Sequence, residues 1–391
     1  MLWLKNAIVN IVYAIGNTIL FTLESILSLG GFNRKPKTVL VFRTGSLGDM
    51  LCAVPAFKAL RRAYPGSKLI LFTKDEPLFN QSQPLESIIG SGIFDSIIRY
   101  EYGKSRSFIH ALRLIGKIRK LNVDLLVYFG QYDIGLTRML KDMFFFYISS
   151  CRRLFGFRLH KILLFRGAQQ KIRKFDHEVD RLLKKIIPLG IKAASVDFNL
   201  SIAAEDKLFI DQLLSASGRK EGTRMVAINP GAKWPVNYWD PNNFIDLANK
   251  LIDSYGFFIV LVGGSEIEGI CALIKKGIKK PNMCLNLCGK SSLLQTMQLL
   301  SECELLVSLD SGPVHMAAAI QTPVVGIYTA RDFANCWYPY GSNNLVIRHD
   351  TSCQVCLKTT CNNMSCIKGI TVDEVFAACA KLINNKDCLN R

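Results

Sequence analysis

The stretch ELLVSLDSGPVHMAAAIQTPVVGIY, Glu304–Tyr328, decides how the rest of the chain is read. Leu305–Leu309 is a short, mostly apolar run that breaks off at Asp310-Ser311-Gly312-Pro313. A run of that length bounded by turn residues reads as a buried strand. Pro313 after a Ser-Gly turn is a helix-start signal, so Val314–Ile320 reads as a short helix and Thr322–Ile327 as the next strand. Strand, tight turn, helix and strand form a βαβ unit, whose ligands sit beyond the carboxyl ends of the strands. The open amides at that helix start favour a phosphate. On position alone, a capping role for Asp310 and a packing role for His315 account for these residues equally well.

Upstream, the arrangement recurs. Met225–Asn229 leads into Pro230-Gly231-Ala232-Lys233-Trp234, Phe257–Val262 into Gly263-Gly264-Ser265-Glu266, and Met283–Leu287 into Cys288-Gly289. Pro241–Tyr255 and Leu293–Cys303 read as helices between them. Four successive strands thus deliver polar or glycine residues to one edge. That repetition points to a nucleotide crevice in an α/β domain over residues 201–391.

An earlier α/β domain occupies residues 37–200. Thr38–Arg43 reads as a strand, Thr44–Asp49 (TGSLGD) as a glycine-rich turn, and Met50–Ala63 as a helix ended by Tyr64-Pro65-Gly66. Strands over Lys68–Thr73, Ser96–Arg99 and Asp124–Phe129 alternate with helices at Phe108–Leu121 and His177–Leu189, a rhythm that implies a parallel sheet. Lys141–Lys174 interrupts it. There Phe144–Tyr147, Cys151–Arg158, Leu163–Arg166 and Lys171–Lys174 alternate aromatic and basic residues. Such a mixture suits a lipid headgroup region, or half-buried elements whose cations face water.

The 391 residues carry a formal charge of +18, unevenly placed. Residues 1–200 hold 31 Lys and Arg against 14 Asp and Glu, whereas the remainder holds 18 against 17. The first half therefore meets something anionic. No nucleic-acid motif is present, and the cations interleave with Phe and Leu, which favours a membrane surface or an anionic glycolipid over nucleic acid. Residues 1–33 are apolar but interrupted. Asn6, Asn10, Asn17, Glu24 and Ser28 fall in one stripe of a helix turning about 100° per residue. Polar residues break every apolar run short of the roughly 18 residues of a spanning helix. The pattern predicts an amphipathic, membrane-associated helix with its polar stripe outward; a helix packed on its own protein and a spanning helix with a polar seam are the alternatives. Most of the thirteen cysteines stand singly in apolar runs, as do Cys52, Cys271 and Cys303, and read as small buried side chains of a reduced, cytoplasmic protein.

The segments FRTGSLGDMLCAVPAFKALRRAYP, INPGAKWP followed by YW, LVGGSEIE, LCGKSSLLQTMQLL and LVSLDSGPVHMAAAIQTPVVGIY occur in this order. Together they resemble the heptosyltransferase family of bacterial lipopolysaccharide core synthesis, glycosyltransferase family 9, from about Val39 to about Val375. The resemblance implies an α/β GT-B architecture of two Rossmann-like domains facing across a cleft. The first would take the acceptor, an anionic glycolipid or core oligosaccharide at the inner-membrane surface. The second would take a nucleotide-sugar donor, ADP-heptose. By the same resemblance Asp49 matches the catalytic carboxylate and Thr44, Gly45, Ser46 and Gly48 the acceptor-side turn. Lys233 matches a donor-phosphate lysine, Glu266 a carboxylate on the nucleoside ribose, and Asp310, Ser311, Gly312 and His315 the segment around diphosphate and sugar. Lys233 departs from the pattern, since it stands one residue closer to the following Trp-Pro.

Inverting transfer needs a base for the acceptor hydroxyl, which a carboxylate supplies within hydrogen-bond reach. A helix N-terminus and the Lys233 ammonium would stabilise the leaving diphosphate. No Asp-x-Asp motif occurs, so no catalytic metal is expected. A capping role for Asp49 in the helix beginning at Met50 is compatible with catalysis. Cys353, Cys356, Cys361 and Cys366 cluster in the tail, where structural zinc, free or redox-active thiols, disulfides and an iron–sulfur site all remain open. A catalytically inactive nucleotide-sugar or glycolipid-binding protein, and a nucleotide-sugar epimerase of the same architecture, are the alternative functions.

Overall fold

The structure is a computed structural model that describes residues 2–28, 35–75, 89, 92–101, 108–160, 175–192, 196–200 and 202–389, with side chains described from residue 11 to residue 384. The chain forms two compact units, one of Met1–Ala168 with Val179–Asp197 and one of Gln169–Glu178 with Phe198–Arg391.

The first unit opens with helix α1 (Leu2–Leu27), followed by β1 (Thr38–Arg43), α2 (Leu47–Ala63), β2 (Lys68–Lys74), β3 (Ser96–Tyr100), α3 (Phe108–Arg119), β4 (Leu125–Phe129), α4 (Leu136–Ile148), β5 (Leu154–Phe155) and α5 (Glu178–Ile186). Its sheet is wholly parallel in the order β3-β2-β1-β4-β5. Strands buried on both faces are continuously apolar rather than alternating, as β1 and β4 are. Leu40, Phe42, Ile70, Phe72, Leu126 and Tyr128 point to the face covered by α1, α3 and α4. On the opposite face, Phe57 of α2 meets Phe129.

Phe144–Tyr147 belongs to α4, a helix absent from the sequence reading. Phe146 packs edge-on to Phe42 at 5.4 Å, and Phe157 stacks on Tyr128 at 4.2 Å. These two rings are core, not lipid-facing, because helical spacing turns Met139, Met143 and Phe146 onto the sheet. Leu163–Arg166 and Lys171–Lys174 lie outside the described residues.

The polar stripe of α1 corrects a second expectation. Its members Asn17, Glu24 and Ser28 point inward, onto the backbone around β5, while the side chains of Asn6 and Asn10 lie outside the described ones. Asn17 accepts from the Leu159 amide at 2.9 Å, Glu24 from the Phe157 amide at 3.0 Å, and Ser28 from the Leu154 amide at 3.1 Å. Glu24 is buried and also takes a 3.0 Å contact from Arg158. Burial pushes its pKa up, with Arg158 opposing. The unpaired edge amides past β5 demand acceptors, and the stripe supplies them. The apolar side chains Ile11, Ile15, Phe21 and Ile26 consequently face out.

The second unit contains α6 (Ala204–Ala216), β6 (Met225–Asn229), α7 (Pro241–Tyr255), β7 (Phe258–Leu261), α8 (Glu268–Gly277), β8 (Cys284–Asn286), α9 (Leu293–Ser301), β9 (Leu305–Leu309), α10 (Gly312–Ala319), β10 (Val324–Tyr328), β11 (Asn344–Arg348) and a closing helix α11 (Val372–Leu389). Its parallel sheet runs β11-β10-β9-β6-β7-β8, a doubly wound order that reverses between β6 and β9. Trp239 is buried against Phe244, and its indole N–H donates to the Ile370 carbonyl at 2.9 Å, tying α7 to the tail. Cys271 is not an isolated thiol as its sequence context suggested. It is disulfide-bonded to Cys288 across 17 residues, because α8 and the end of β8 share one core. Cys52 and Cys303 are buried as expected.

The inward stripe makes Glu24 a test of how α1 is held. Glu24→Ala strands the buried Phe157 amide, a loss of about 1–3 kcal/mol, and should lower the urea-unfolding midpoint of the first unit. An unchanged midpoint would show that the Glu24 contact adds nothing to the fold.

Candidate functional site

In the first sheet the winding reverses between β1 and β4, and the glycine turn leaves β1 at that point. Arg43, the last residue of β1, is fully buried. Its guanidinium bridges the reversal, donating to the Phe129 carbonyl of β4 at 3.3 Å and to the Asp49 carbonyl at 3.0 Å. It also approaches the Asp49 carboxylate at 3.4 Å. Thr44, Gly45 and Ser46 form the half-open turn, while Gly48 is buried in the first turn of α2. Helix α2 starts at Leu47, three residues before the expected Met50, so Ser46 is the N-cap and Asp49 the third helical residue. The N-cap role considered for Asp49 is therefore corrected. Its carboxylate instead reaches back to the Ser46 amide at 2.8 Å and the Ser46 hydroxyl at 2.9 Å. Gly45 has φ +141°, and a Cβ there would collide with the Asp49 side chain. The turn is thus built around the carboxylate, which keeps 12% of its side-chain surface open to solvent.

In the second sheet the reversal lies between β6 and β9. Buried Asn229, ending β6, spans it. Its amide donates to Ser308 at 3.0 Å and to Ser311 at 2.6 Å, and its side-chain oxygen accepts from the Gly231 amide at 3.3 Å. Ser311 is the N-cap of α10 and Gly312 its first residue, so the helix begins two residues before the expected Val314 and Asp310 does not cap it. Asp310 stands at the end of β9, where burial and neighbouring Asp332 push its pKa up to about 7 against the opposing pull of Arg331. His315 is buried one turn into α10, edge-on to Trp337 at 6.1 Å. Burial and nearby His177 hold its pKa down at about 3, against Glu178, so the imidazole is neutral at physiological pH. It can orient the turn but brings no positive charge to a phosphate.

Lys233 and Glu266 are exposed on the loops after β6 and β7, the same edge of the sheet. The Lys233 ammonium sits 5.4 Å from the Trp234 ring centroid, a contact that limits the search of a long cationic side chain. Glu266 folds back over Gly264, where a Cβ would strike its carboxylate.

The cysteine-rich segment runs close by. Cys353 is exposed, Cys356 and Cys361 are half-buried and Cys366 is buried. Among the described residues, no group of three or more His, Cys, Asp or Glu side chains is arranged to hold a metal ion, so the geometry lends the zinc reading no support. The segment is organised by its backbone instead. Val355 donates to Ala330 at 2.7 Å and Leu357 to Arg331 at 2.9 Å, while the Arg331 guanidinium donates to Lys358 at 2.7 Å. That arrangement steadies the Arg331-Asp332 pair facing Asp310. Arg43, Asn229, Arg331 and Asp332 escaped the sequence reading. A polar residue ending an apolar strand signals the first two; nothing local signals the others.

The sequence model of glycosyltransferase family 9 (heptosyltransferase) matches residues 131–367. The chain is 26% identical to lipopolysaccharide heptosyltransferase 3 of Escherichia coli K12 over 361 residues, covering 86% of this chain and 95% of that one. It is 32% identical to lipopolysaccharide heptosyltransferase 2 of Salmonella typhimurium LT2 over 309 residues, covering 74% and 82%. Among solved structures, E. coli ADP-heptose lps heptosyltransferase II superposes with a TM-score of 0.62 at 20% identity, covering 90% of this chain and 99% of that one, which establishes the GT-B-like fold. Two doubly wound sheets, each with candidate site residues near the winding reversal, and a family match over more than half the sequence lead to one conclusion: this chain is a glycosyltransferase that belongs to family 9, the heptosyltransferases.

Proposed function

We propose that the protein is an inverting transferase that moves heptose from ADP-heptose to a lipid-anchored, phosphorylated core oligosaccharide, at the cytoplasmic face of the inner membrane and without a catalytic metal. The single observation that carries this reading is the Asp49 carboxylate, held over Gly45 by Ser46 and Arg43 at the winding reversal of the basic unit. A carboxylate fixed by donors on one side keeps lone pairs for an incoming hydroxyl on the other. Similarity to lipopolysaccharide heptosyltransferase 3 and to ADP-heptose lps heptosyltransferase II of E. coli supports the sugar and the donor.

In this mechanism the acceptor oxygen attacks the anomeric carbon as the bond to the donor diphosphate breaks. Asp49 takes the hydroxyl proton. The amides at the start of α10 and the Lys233 ammonium meet the charge gathering on the diphosphate, as preorganised donors do in a site shielded from water. Glu266 takes ribose hydroxyls. Asp310, its pKa raised to about 7, lies beside the diphosphate with less repulsion than an ordinary, fully ionised carboxylate would bring, and hydrogen-bonds the sugar. The cysteine segment serves as a scaffold for Arg331.

Three outcomes test this. Asp49→Ala should lower kcat by about 10²–10⁴-fold, the usual contribution of a general base, while donor affinity by calorimetry is retained. Unimpaired turnover would remove the base, and donor binding with no product on any extracted lipid would favour an inactive binding protein. Lys233→Ala should raise the donor KM by about tenfold or more, as loss of a charge-assisted contact of roughly 1.5–3 kcal/mol does; an unchanged KM would take Lys233 out of the site. The third outcome concerns stability of the ligand-free protein. The Asp310 contribution is full below about pH 4 and is lost as pH rises through about 7. The His315 contribution runs the other way, full above about pH 6.5 and lost as pH falls towards 3. The two oppose each other between about pH 4 and 6.5. Asp310→Asn leaves only the histidine, so its urea midpoint should climb more steeply over that range than the wild-type midpoint. Parallel curves would contradict the shifted carboxyl.

A further inference from the structure

Ten of the fourteen large hydrophobic side chains that stand exposed among the described residues lie on α1, α3 and α4. These helices cover one face of the first sheet, with α4 between the other two. Ile11, Ile15 and Phe21 project from α1, Phe108 and Leu112 from α3, and Phe144 from α4. Phe108 is 76% exposed and Phe144 60%, values that separate them from side chains merely grazing the surface. Apolar concentration on one face marks an interaction surface.

Two exposed hydroxyls of α1 on that face are spent internally. Thr18 donates to the Ala14 carbonyl at 2.9 Å and Ser25 to the Phe21 carbonyl at 2.9 Å, so neither hydroxyl needs water. Among the described side chains of the three helices there are two carboxylates, and both are engaged. Glu24 is buried on Arg158, and Asp142 accepts from Tyr128 at 2.7 Å and Arg138 at 3.0 Å. The exposed ions on α3 and α4 are cations: Arg113, Lys117, Arg119, Arg138 and Lys141. Apolar projections rimmed by positive charge match an anionic lipid surface and repel a second copy of the same face. No helix among the described residues is long and apolar enough to cross a membrane.

We propose that the outer face of α1, α3 and α4 is a bilayer-docking surface for anionic phospholipid, with α1 lying in the interface, apolar side down and polar stripe fastened to its own domain. This deepens the functional reading above and rests on it, since a lipid-anchored acceptor would be met at that surface by the unit that carries Asp49.

The test is flotation of the full chain with vesicles of phosphatidylglycerol and phosphatidylethanolamine, against phosphatidylcholine vesicles. The wild type should float with the anionic vesicles and be partly released by salt. The pairs Ile15→Asp with Phe21→Asp, and Phe108→Asp with Leu112→Asp, should each weaken vesicle binding by at least about tenfold. Lys117→Glu with Lys141→Glu should weaken binding to the anionic vesicles alone. Melting curves, together with turnover on a delipidated, soluble acceptor, should stay at wild-type values in all three. Wild-type protein that does not float, or apolar pairs that float as before, would overturn the proposal. So would a dimer by analytical ultracentrifugation that the apolar pairs dissociate, since a second copy would then be the occupant. Wild-type flotation without turnover on either acceptor would leave the surface standing and remove the functional reading instead.

Discussion

A buried side-chain amide holds the second sheet together where it must also open. Asn229 ends β6, and from there it engages Ser308 and Ser311 at the end of β9. In a doubly wound sheet the chain departs in opposite directions from two neighbouring strands, and a crevice is left between the departing loops. The same divergence strips the strand ends of backbone partners, and buried polar groups left without partners are costly. Asn229 resolves both demands with one side chain. It ties the diverging strands and fixes the N-cap of α10, leaving the helix amides aimed away from the sheet. Replacing it with an apolar residue of similar size would free Ser311 and, with it, the start of the helix.

The first unit solves the same problem with a cation. Arg43 closes the reversal between β1 and β4 by reaching the Phe129 carbonyl, and its other terminal nitrogen turns to Asp49. Asp49 is thus both a structural element of its turn and an acid still open to solvent. These roles are compatible because a carboxylate has two oxygens and several lone pairs. Gly45 makes the arrangement sterically feasible. A side chain there would move the carboxylate before it changed anything else.

The inward stripe of α1 follows from an elementary accounting of hydrogen bonds. Past β5 the chain carries amides with no further strand to pair with. Asn17, Glu24 and Ser28 accept from three of the amides between Leu154 and Leu159. A helix that spends its polar residues in this way presents a mainly apolar outer surface, where Thr18 and Ser25 bond back to their own helix. Amphipathicity alone shows that a helix has two faces; it does not say which of them meets the protein.

Legibility divided along the same line. Apolar runs ending in glycine, serine or aspartate were enough to place β1, β6 and β9 to the residue, and with them the turns carrying Asp49 and Asp310, because strand burial and turn chemistry are local properties. Helix starts at Leu47 and Gly312 lay two or three residues earlier than pattern alone indicated, since caps belong to side-chain geometry. The pairing of Cys271 with Cys288, the burial of Phe146 and Phe157, and the setting of Asp310 against Asp332 and Arg331 were hidden. Each depends on residues distant in the chain meeting in space. The sequence by itself determined two parallel α/β layers and the strand ends where chemistry could lie. Tertiary structure decided which faces are buried, which thiols bond and which carboxyl has its pKa raised, because burial and neighbouring charge exist only once the chain has folded.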